Sequence, residues 1–192
     1  MVIYVLRHGE STANAEKIFA GWAQVPLTGK GMEQARQARP LLQDIPFTKV
    51  IASDLLRAVQ TAQEALPGYE VHTDPRLREI HGGALQGRAL AEFSPEFWAK
   101  RDYTAYGGEN LTQHIARVSQ FMDSLQNEPE DAKIAVVCHA GTIHGMLCHV
   151  LQTHVPQNAA TALNGAVSVF SCRNGHWSLC KWNETGSANI PE

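Results

Sequence analysis

At 192 residues the chain fits one domain with room for a sizeable core, and it is short for two. A composition that is 44% hydrophobic and 18% charged excludes disordered and collagen-like classes, and a net charge of −3 gives no basic footprint for nucleic acid. No apolar run approaches the roughly 20 residues needed to cross a bilayer, and the four cysteines include no Cys-x-x-Cys pair. With no export signal ahead of them, those thiols read as reduced and mostly buried, in a cytoplasmic protein.

In chain order, Val2 to Leu6 is a short apolar run ending at Arg7-His8-Gly9, the pattern of a buried parallel strand that stops at a functional loop. Met1 to His8 has no basic region, long apolar stretch or cleavage site, so it reads as this strand and not as a signal peptide. Thr28 is placed to cap a helix with Met32, Ala35, Ala38 and Leu42 on one face, which Pro40 should end or kink. Lys49 to Ser53 is a second strand. Ser53 or Asp54 then caps a helix whose inner face carries Leu55, Val59, Ala62 and Leu66.

After a short segment from Glu70 to Thr73 come Arg78 and Glu79. Leu111, Ile115, Val118, Met122 and Leu125 mark a long amphipathic helix, Lys133 to Cys138 is the strongest strand signal, and Thr142 to Leu151 reads as the helix after it. The alternating runs Ala166–Cys172 and His176–Trp182 meet at Asn174-Gly175, the pair a type I′ hairpin turn demands. These elements predict an α/β fold: a mostly parallel sheet with helices on both faces and a C-terminal antiparallel hairpin. Residues 1–182 form the single domain of this reading and 183–192 a C-terminal tail.

Ligands of such sheets bind beyond the carboxyl ends of the strands. Arg7 and His8 stand at the first of these ends, Arg57 one helical turn past the second, Arg78-Glu79 after the third segment, and His139 with Ala140-Gly141 after the strongest strand. Two or more arginines, two histidines and a carboxylate at one spot suit a phosphate monoester, whose oxygens match guanidinium forks and helix-start amides such as that of Ala140. One histidine can attack phosphorus through a neutral ring nitrogen while its other nitrogen donates to a fixed acceptor such as a nearby backbone carbonyl. The second, if protonated, would stabilise charge on the transferring group. Glu79 can protonate the leaving oxygen if the phosphate raises its pKa, and can then activate water. Every role is filled without a metal or other cofactor, and the expected partner is a small phosphorylated metabolite, with neither nucleic acid nor membrane.

Arg7-His8-Gly9-Glu10, Asn14, Phe19-Ala20-Gly21-Trp22, Ser53 to Ala62, Leu77-Arg78-Glu79, Leu85-Gln86-Gly87, Gly107-Gly108-Glu109 and His139-Ala140-Gly141 together resemble the histidine phosphatase superfamily, in the branch that holds cofactor-dependent phosphoglycerate mutases. The resemblance runs from residue 2 to about 145 and implies the same fold. It implies that His8 is the phosphorylated nucleophile, that Glu79 is the proton donor and acceptor, and that Arg7, Arg57 and His139 hold the phosphoryl group. Asn14, Gly21 and the Ala140 amide would bind substrate nearby.

The chain departs from the mutases at Ile80 and Gly82, where they usually carry arginine and tyrosine, at Ala20, and in a short Arg88–Tyr106 stretch whose only further cations are Lys100 and Arg101. It looks more like the small phosphatases, so hydrolysis of a phosphomonoester is expected first. Phosphoglycerate mutase activity is the alternative, and an inactive phospho-ligand-binding protein the second.

Other chemistries fit less well. His139, His144, Cys148 and His149 suggest a metal, but their spacing on an apolar helix is that of core packing. None of the four cysteines has an arginine six residues later, and Gly29-Lys30-Gly31 lacks the rest of a phosphate-binding loop. The segments 88–110 and 152–164 should form the pocket rim, and Trp22, Phe93, Phe97, Trp98 and Tyr103 divide between wall and packing.

Overall fold

A computed structural model of the chain describes residues 1–156 and 159–186. Six strands form one sheet: β1 (Val2–Arg7), β2 (Lys49–Ala52), β3 (Val71–Thr73), β4 (Lys133–Cys138), β5 (Val167–Arg173) and β6 (His176–Glu184), in the order β3-β2-β4-β1-β5-β6. The first four of that order run parallel, while β5 is antiparallel to β1 and β6 antiparallel to β5. The helices are α1 (Thr12–Ala15), α2 (Gly29–Gln37), α3 (Leu56–Ala65), α4 (Pro95–Lys100), α5 (Leu111–Ser124) and α6 (Ala140–Leu151).

The side-chain alternation of a strand decides how these layers assemble. Ile134, Val136 and Cys138 of β4 face a core built with Val118, Phe121 and Met122 of α5 and Ile143, Met146 and Leu147 of α6. Ala135 and Val137 face the opposite way, onto Ala38 beyond α2 and onto Ala58, Ala62 and Ala65 of α3. Helices therefore cover both faces, and β4, at the centre, is an uninterrupted apolar run because neither face meets water.

The expected elements are present with small shifts. Thr28 caps α2, its hydroxyl accepting from Gly31 N, and Pro40 falls in a short 3₁₀ turn at Arg39–Leu41, where the helix has ended. Asn174 and Gly175 take φ of 52° and 76°, as a type I′ turn requires. β6 continues to Glu184, two residues past the expected end of the domain, and residues 187–192 of the expected tail lie outside the described residues.

One local expectation fails for a chemical reason. Helix α3 starts at Leu56 with Leu55 at the cap position and no side-chain cap, although Ser53 and Asp54 precede it. Ser53 instead binds His139, and Asp54 forms a bidentate pair with Arg78, whose Nε lies 2.7 Å from Asp54 Oδ1.

A third apolar cluster of Ile80, Leu85 and Tyr103, with Phe19, Phe93, Phe97 and Trp98 packed against it, is formed by the loops beyond the strand ends. No helix among the described residues is long and apolar enough to cross a membrane.

Candidate active site

The three central parallel strands deliver their next residues to one place. His8 follows β1 and its N–H donates to Cys138 O at 2.9 Å, while Ser53 follows β2 and its N–H donates to Val137 O at 2.9 Å. His139 follows β4, and its ring centroid lies 5.0 Å from that of His8. Above them is a cavity of about 410 Å³ lined by Arg7, His8, Asn14, Gly21, Arg57 and Glu79 on the polar side, with Ile18, Phe19, Ile80, Leu90, Trp98 and Tyr103 making an apolar wall.

His8 is held in one tautomer. Its Nδ1 lies 2.6 Å from Gly9 O, a pure acceptor, so Nδ1 carries the proton and Nε2 keeps its lone pair. Arg57 Nε approaches that lone pair at 3.3 Å. Burial, then the charges of Arg57 and Arg7, hold the His8 pKa well below the ordinary histidine value. The ring is therefore neutral at neutral pH, as a nitrogen nucleophile must be.

The guanidinium groups are anchored by backbone carbonyls, and the charge that answers them is the Glu79 carboxylate across the cavity. Arg57, 2% exposed, donates to Gly21 O at 2.9 Å and to Ala23 O at 3.1 Å, and its pKa is lowered to about 10 by burial. Arg7 donates to Ala162 O at 2.6 Å, while its buried Nε has no protein partner. Asn14 lies on the cavity with Oδ1 taken by Ser11 N at 3.1 Å, so its amide nitrogen is the end open to a ligand. Gly21 serves through its carbonyl, by aiming Arg57.

His139 is fully buried, with Nε2 2.8 Å from Ser53 Oγ and Nδ1 without a protein partner. Burial, Arg57, His8 and Arg7 in that order push its pKa well below the ordinary value. The protonated state on which its charge-stabilising role is conditioned is therefore disfavoured in the free protein; the ring can offer an N–H dipole but not a full charge.

Glu79 sits across the cavity with its side chain 17% exposed. Its Oε1 accepts from Ile80 N at 2.8 Å and its Oε2 from Gly141 N at 2.9 Å. Arg101 Nη2 stands 3.7 Å from Oε1 and His114 Nε2 4.0 Å from it. Burial pushes the carboxyl pKa up, but His114, Arg101 and the two backbone amides together outweigh it, and the net direction is down. Glu79 is a carboxylate in the free protein. At the start of α6 the Gly141 N–H is taken by Glu79, and Ala140, whose amide the sequence names as a substrate donor, opens the helix directly after His139.

The structure thus gathers His8, Arg7, Arg57, Glu79 and His139 and adds Ser53, Arg101 and His114, which sequence reasoning did not place there. Lys100-Arg101 was visible as a pair of cations, but nothing local shows that Arg101 turns inward, to 6% exposure, from a left-handed backbone at φ 47°. The aromatic residues divide as their contacts dictate. Trp98 and Tyr103 line the cavity, while Phe93 and Phe97 pack behind them. Trp22 lies 4.6 Å beneath the Arg78 guanidinium and donates from Nε1 to Glu79 O at 2.6 Å.

Segment 88–110 supplies rim residues, whereas in the expected rim segment 152–164, of which 157–158 lie outside the described residues, Ala162 and Asn164 work underneath. Ala162 O holds Arg7, and Asn164 Nδ2 donates to His8 O at 2.8 Å. Among the described residues no group of three His, Cys, Asp or Glu stands where it could hold a metal ion. His144 Nε2 lies 2.5 Å from Val155 O, the packing role its helix position implies.

Comparison with known proteins identifies the family. Residues 3–185 match the histidine phosphatase superfamily (branch 1). The chain is 33% identical to a protein of Erwinia tasmaniensis named "Probable phosphoglycerate mutase GpmB", over 94% of this chain and 89% of that one. It is 30% identical to the adenosylcobalamin/alpha-ribazole phosphatase of Salmonella typhimurium, over 79% and 80%. The crystal structure of the alpha-ribazole phosphatase from Shigella flexneri superposes with a TM-score of 0.84 at 25% identity, covering all of both chains. A nucleophile-ready histidine among buried arginines, on this sheet and in this sequence, places the chain in the histidine phosphatase superfamily, as an enzyme of that phosphatase type.

Proposed function

We propose that the chain hydrolyses small phosphorylated metabolites through a phosphohistidine formed on His8. The observation that carries this reading is the Nδ1–H of His8 fixed on Gly9 O, with Nε2 beside Arg57 on the cavity floor. In the first step His8 Nε2 bonds to phosphorus as the ester P–O bond breaks. Arg7, Arg57 and His139, in the tautomer whose Nε2 accepts from the Ser53 hydroxyl and whose Nδ1 carries the hydrogen, take the charge of the phosphoryl oxygens. Arrival of a phosphate dianion raises the pKa of Glu79, which then carries the proton that the departing oxygen receives. In the second step the Glu79 carboxylate accepts a proton from water as its oxygen bonds to phosphorus and the P–N bond breaks. Arginine charge substitutes for a metal throughout.

The apolar wall bears on the substrate. Beyond the phosphoryl pocket the leaving group meets Ile18, Phe19, Leu90, Trp98 and Tyr103, which suits a metabolite with an apolar or flat body. The alpha-ribazole phosphatase names among the relatives fit that chemistry. Phosphoglycerate mutation is the second reading, favoured by one observation: Arg101 Nη1 is buried without a protein partner and could meet a second anionic group. Hydrolysis ranks first because a mutase must also keep water from phosphohistidine, and the Arg88–Tyr106 stretch that would cover it is short.

His8→Ala should abolish turnover, and the native enzyme quenched during turnover should carry acid-labile, base-stable phosphate on His8. Activity should survive chelators, and phosphate release should exceed phosphoglycerate isomerisation. Full activity in the alanine variant, or a strict need for added divalent metal, overturns the mechanism.

A further inference from the structure

His114 lies on the buried stripe of α5, four residues before Val118, and is fully buried. An apolar side chain would fill that position without the cost of burying a polar ring, so the ring's contacts bear on why a histidine stands there. Its Nδ1 is 2.9 Å from Arg117 Nη2. A guanidinium has donors and no acceptor, so the nitrogen facing it carries no proton and the ring hydrogen sits on Nε2. Nε2 has no hydrogen-bond partner in the protein, and the acceptor it approaches is Glu79 Oε1, at 4.0 Å.

Arg117 is itself fixed, by Glu109 through two contacts of 2.8 Å and by the carbonyls of Arg76, Arg78 and Glu79 at 2.8 to 3.1 Å. The chain Glu109–Arg117–His114 thus ends in a ring nitrogen 4.0 Å from the carboxylate that the proposed mechanism uses.

We propose that His114 is a positioning residue for Glu79, whose Nε2–H, locked by Arg117, favours the carboxylate form and so sets the pH at which Glu79 can act as acid. The inference rests on the reading of Glu79 given above. Arg101 acts on the same carboxylate from the end of α4, the N–H of Gly141 from α6 and that of Ile80 from its own segment. Arg7 and Arg57 act from across the cavity, and Tyr103 and Cys138 feel the same charge. On the other side of His114, Glu109 Oε2 lies 3.7 Å from Nδ1, while His139 and His144 sense the ring from β4 and α6.

Carboxylate carbon resonances of ¹³C-glutamate-labelled protein, with the Glu79 signal identified by its loss in Glu79→Gln, give the Glu79 titration directly. His114→Phe should move that midpoint upward by on the order of half a pH unit, and His114→Gln, which keeps an N–H donor, should move it back toward the native value. The descending alkaline limb of kcat/KM for an alkyl phosphate should move with it, while that for nitrophenyl phosphate, which needs little acid help, should hardly change. His114→Met provides a second apolar variant should the phenylalanine not fold.

An unchanged Glu79 midpoint in a folded apolar variant, with only a lower melting temperature, would make His114 a packing residue and overturn the inference. A midpoint that moves while the alkyl-ester limb stays fixed supports the action of His114 on Glu79 and overturns the acid role of Glu79 instead.

Discussion

A Cβ built on Gly141 would overlap Glu79 Oε1 and come within 2.5 Å of Arg101 Nη2. The absence of a side chain there is what lets the carboxylate reach the first turn of α6 and accept the Gly141 N–H. Gly141→Ala should therefore push Glu79 off its amide while leaving His8, Arg7 and Arg57 in place. If Glu79 supplies the leaving-group proton, the variant should behave as a partial Glu79→Gln. General-acid help is worth on the order of 10²–10⁴-fold, so kcat/KM for alkyl phosphates should fall severely in Glu79→Gln and to a lesser degree in Gly141→Ala. Nitrophenyl phosphate, with its weakly basic leaving oxygen, should suffer much less in both. Equal losses for the two esters would remove Glu79 from the acid role. The other nearby carboxylates are poorly placed to replace it: Glu109 is committed to Arg117, and Glu10 to Lys30 and Thr28.

At the scale of elements, α4 turns a strip of loop into a wall. Trp98 donates from Nε1 to Leu90 O at 2.8 Å and packs 5.0 Å from Phe19, ring centre to ring centre. An aromatic contact of this kind contributes about 0.5–1.5 kcal/mol, so Trp98→Ala should raise KM for naphthyl phosphate by roughly 3- to 10-fold and leave that of a small alkyl phosphate nearly unchanged. A uniform change in both would return the wall to plain packing. The same scale shows what the sequence made legible. β4 and the Asn174-Gly175 hairpin carry their whole signal locally, in an unbroken apolar run and in a turn that needs positive φ. Ser53 and Asp54 carry a local signal that misleads: both have the chemistry of a helix cap, and both are taken by partners far along the chain, His139 and Arg78. His114 and Arg101 gave no signal, since a histidine on a helix stripe and an arginine at a helix end are ordinary until the fold turns them toward Glu79. His8, Arg7 and Arg57 were legible as a cluster because strand ends converge by topology, whereas Arg101 and His114 arrive from loops and helices that topology does not fix.

For the whole molecule, the buried neutral rings couple stability to pH. His8, His139 and His144 all have pKa values below the ordinary histidine value, chiefly through burial. The folded state therefore binds fewer protons than the unfolded chain once pH drops below about 6.5. Stability should be level from there to about pH 8 and fall below about pH 6.5, by up to about 1.4 kcal/mol per pH unit for each ring held neutral. A second loss should follow below the ordinary carboxylate range, where Glu79, Glu109 and Asp54, all held low in the fold, take up protons. Urea melts between pH 8 and 5 check the first phase, and His139→Gln should make its slope shallower; a flat profile would mean the rings titrate alike in both states.

The sheet order has a consequence of another kind. β1 lies between β4 and β5, with Ile3 opposite Ile134 on one side and Phe170 on the other. A ribosome releases Val2–Arg7 as an apolar strand well before either neighbour is made: β4 comes only after α5, and the other edge stays open until β5 follows α6. Such long-range pairing slows folding and leaves an edge open to aggregation, so this enzyme should depend on chaperone shelter during synthesis more than an equally long helical bundle would. His8 stands at the end of that strand, and part of its surroundings arrives late: Ala162 O, which holds Arg7, and Asn164 Nδ2, which holds the His8 carbonyl, come just ahead of β5.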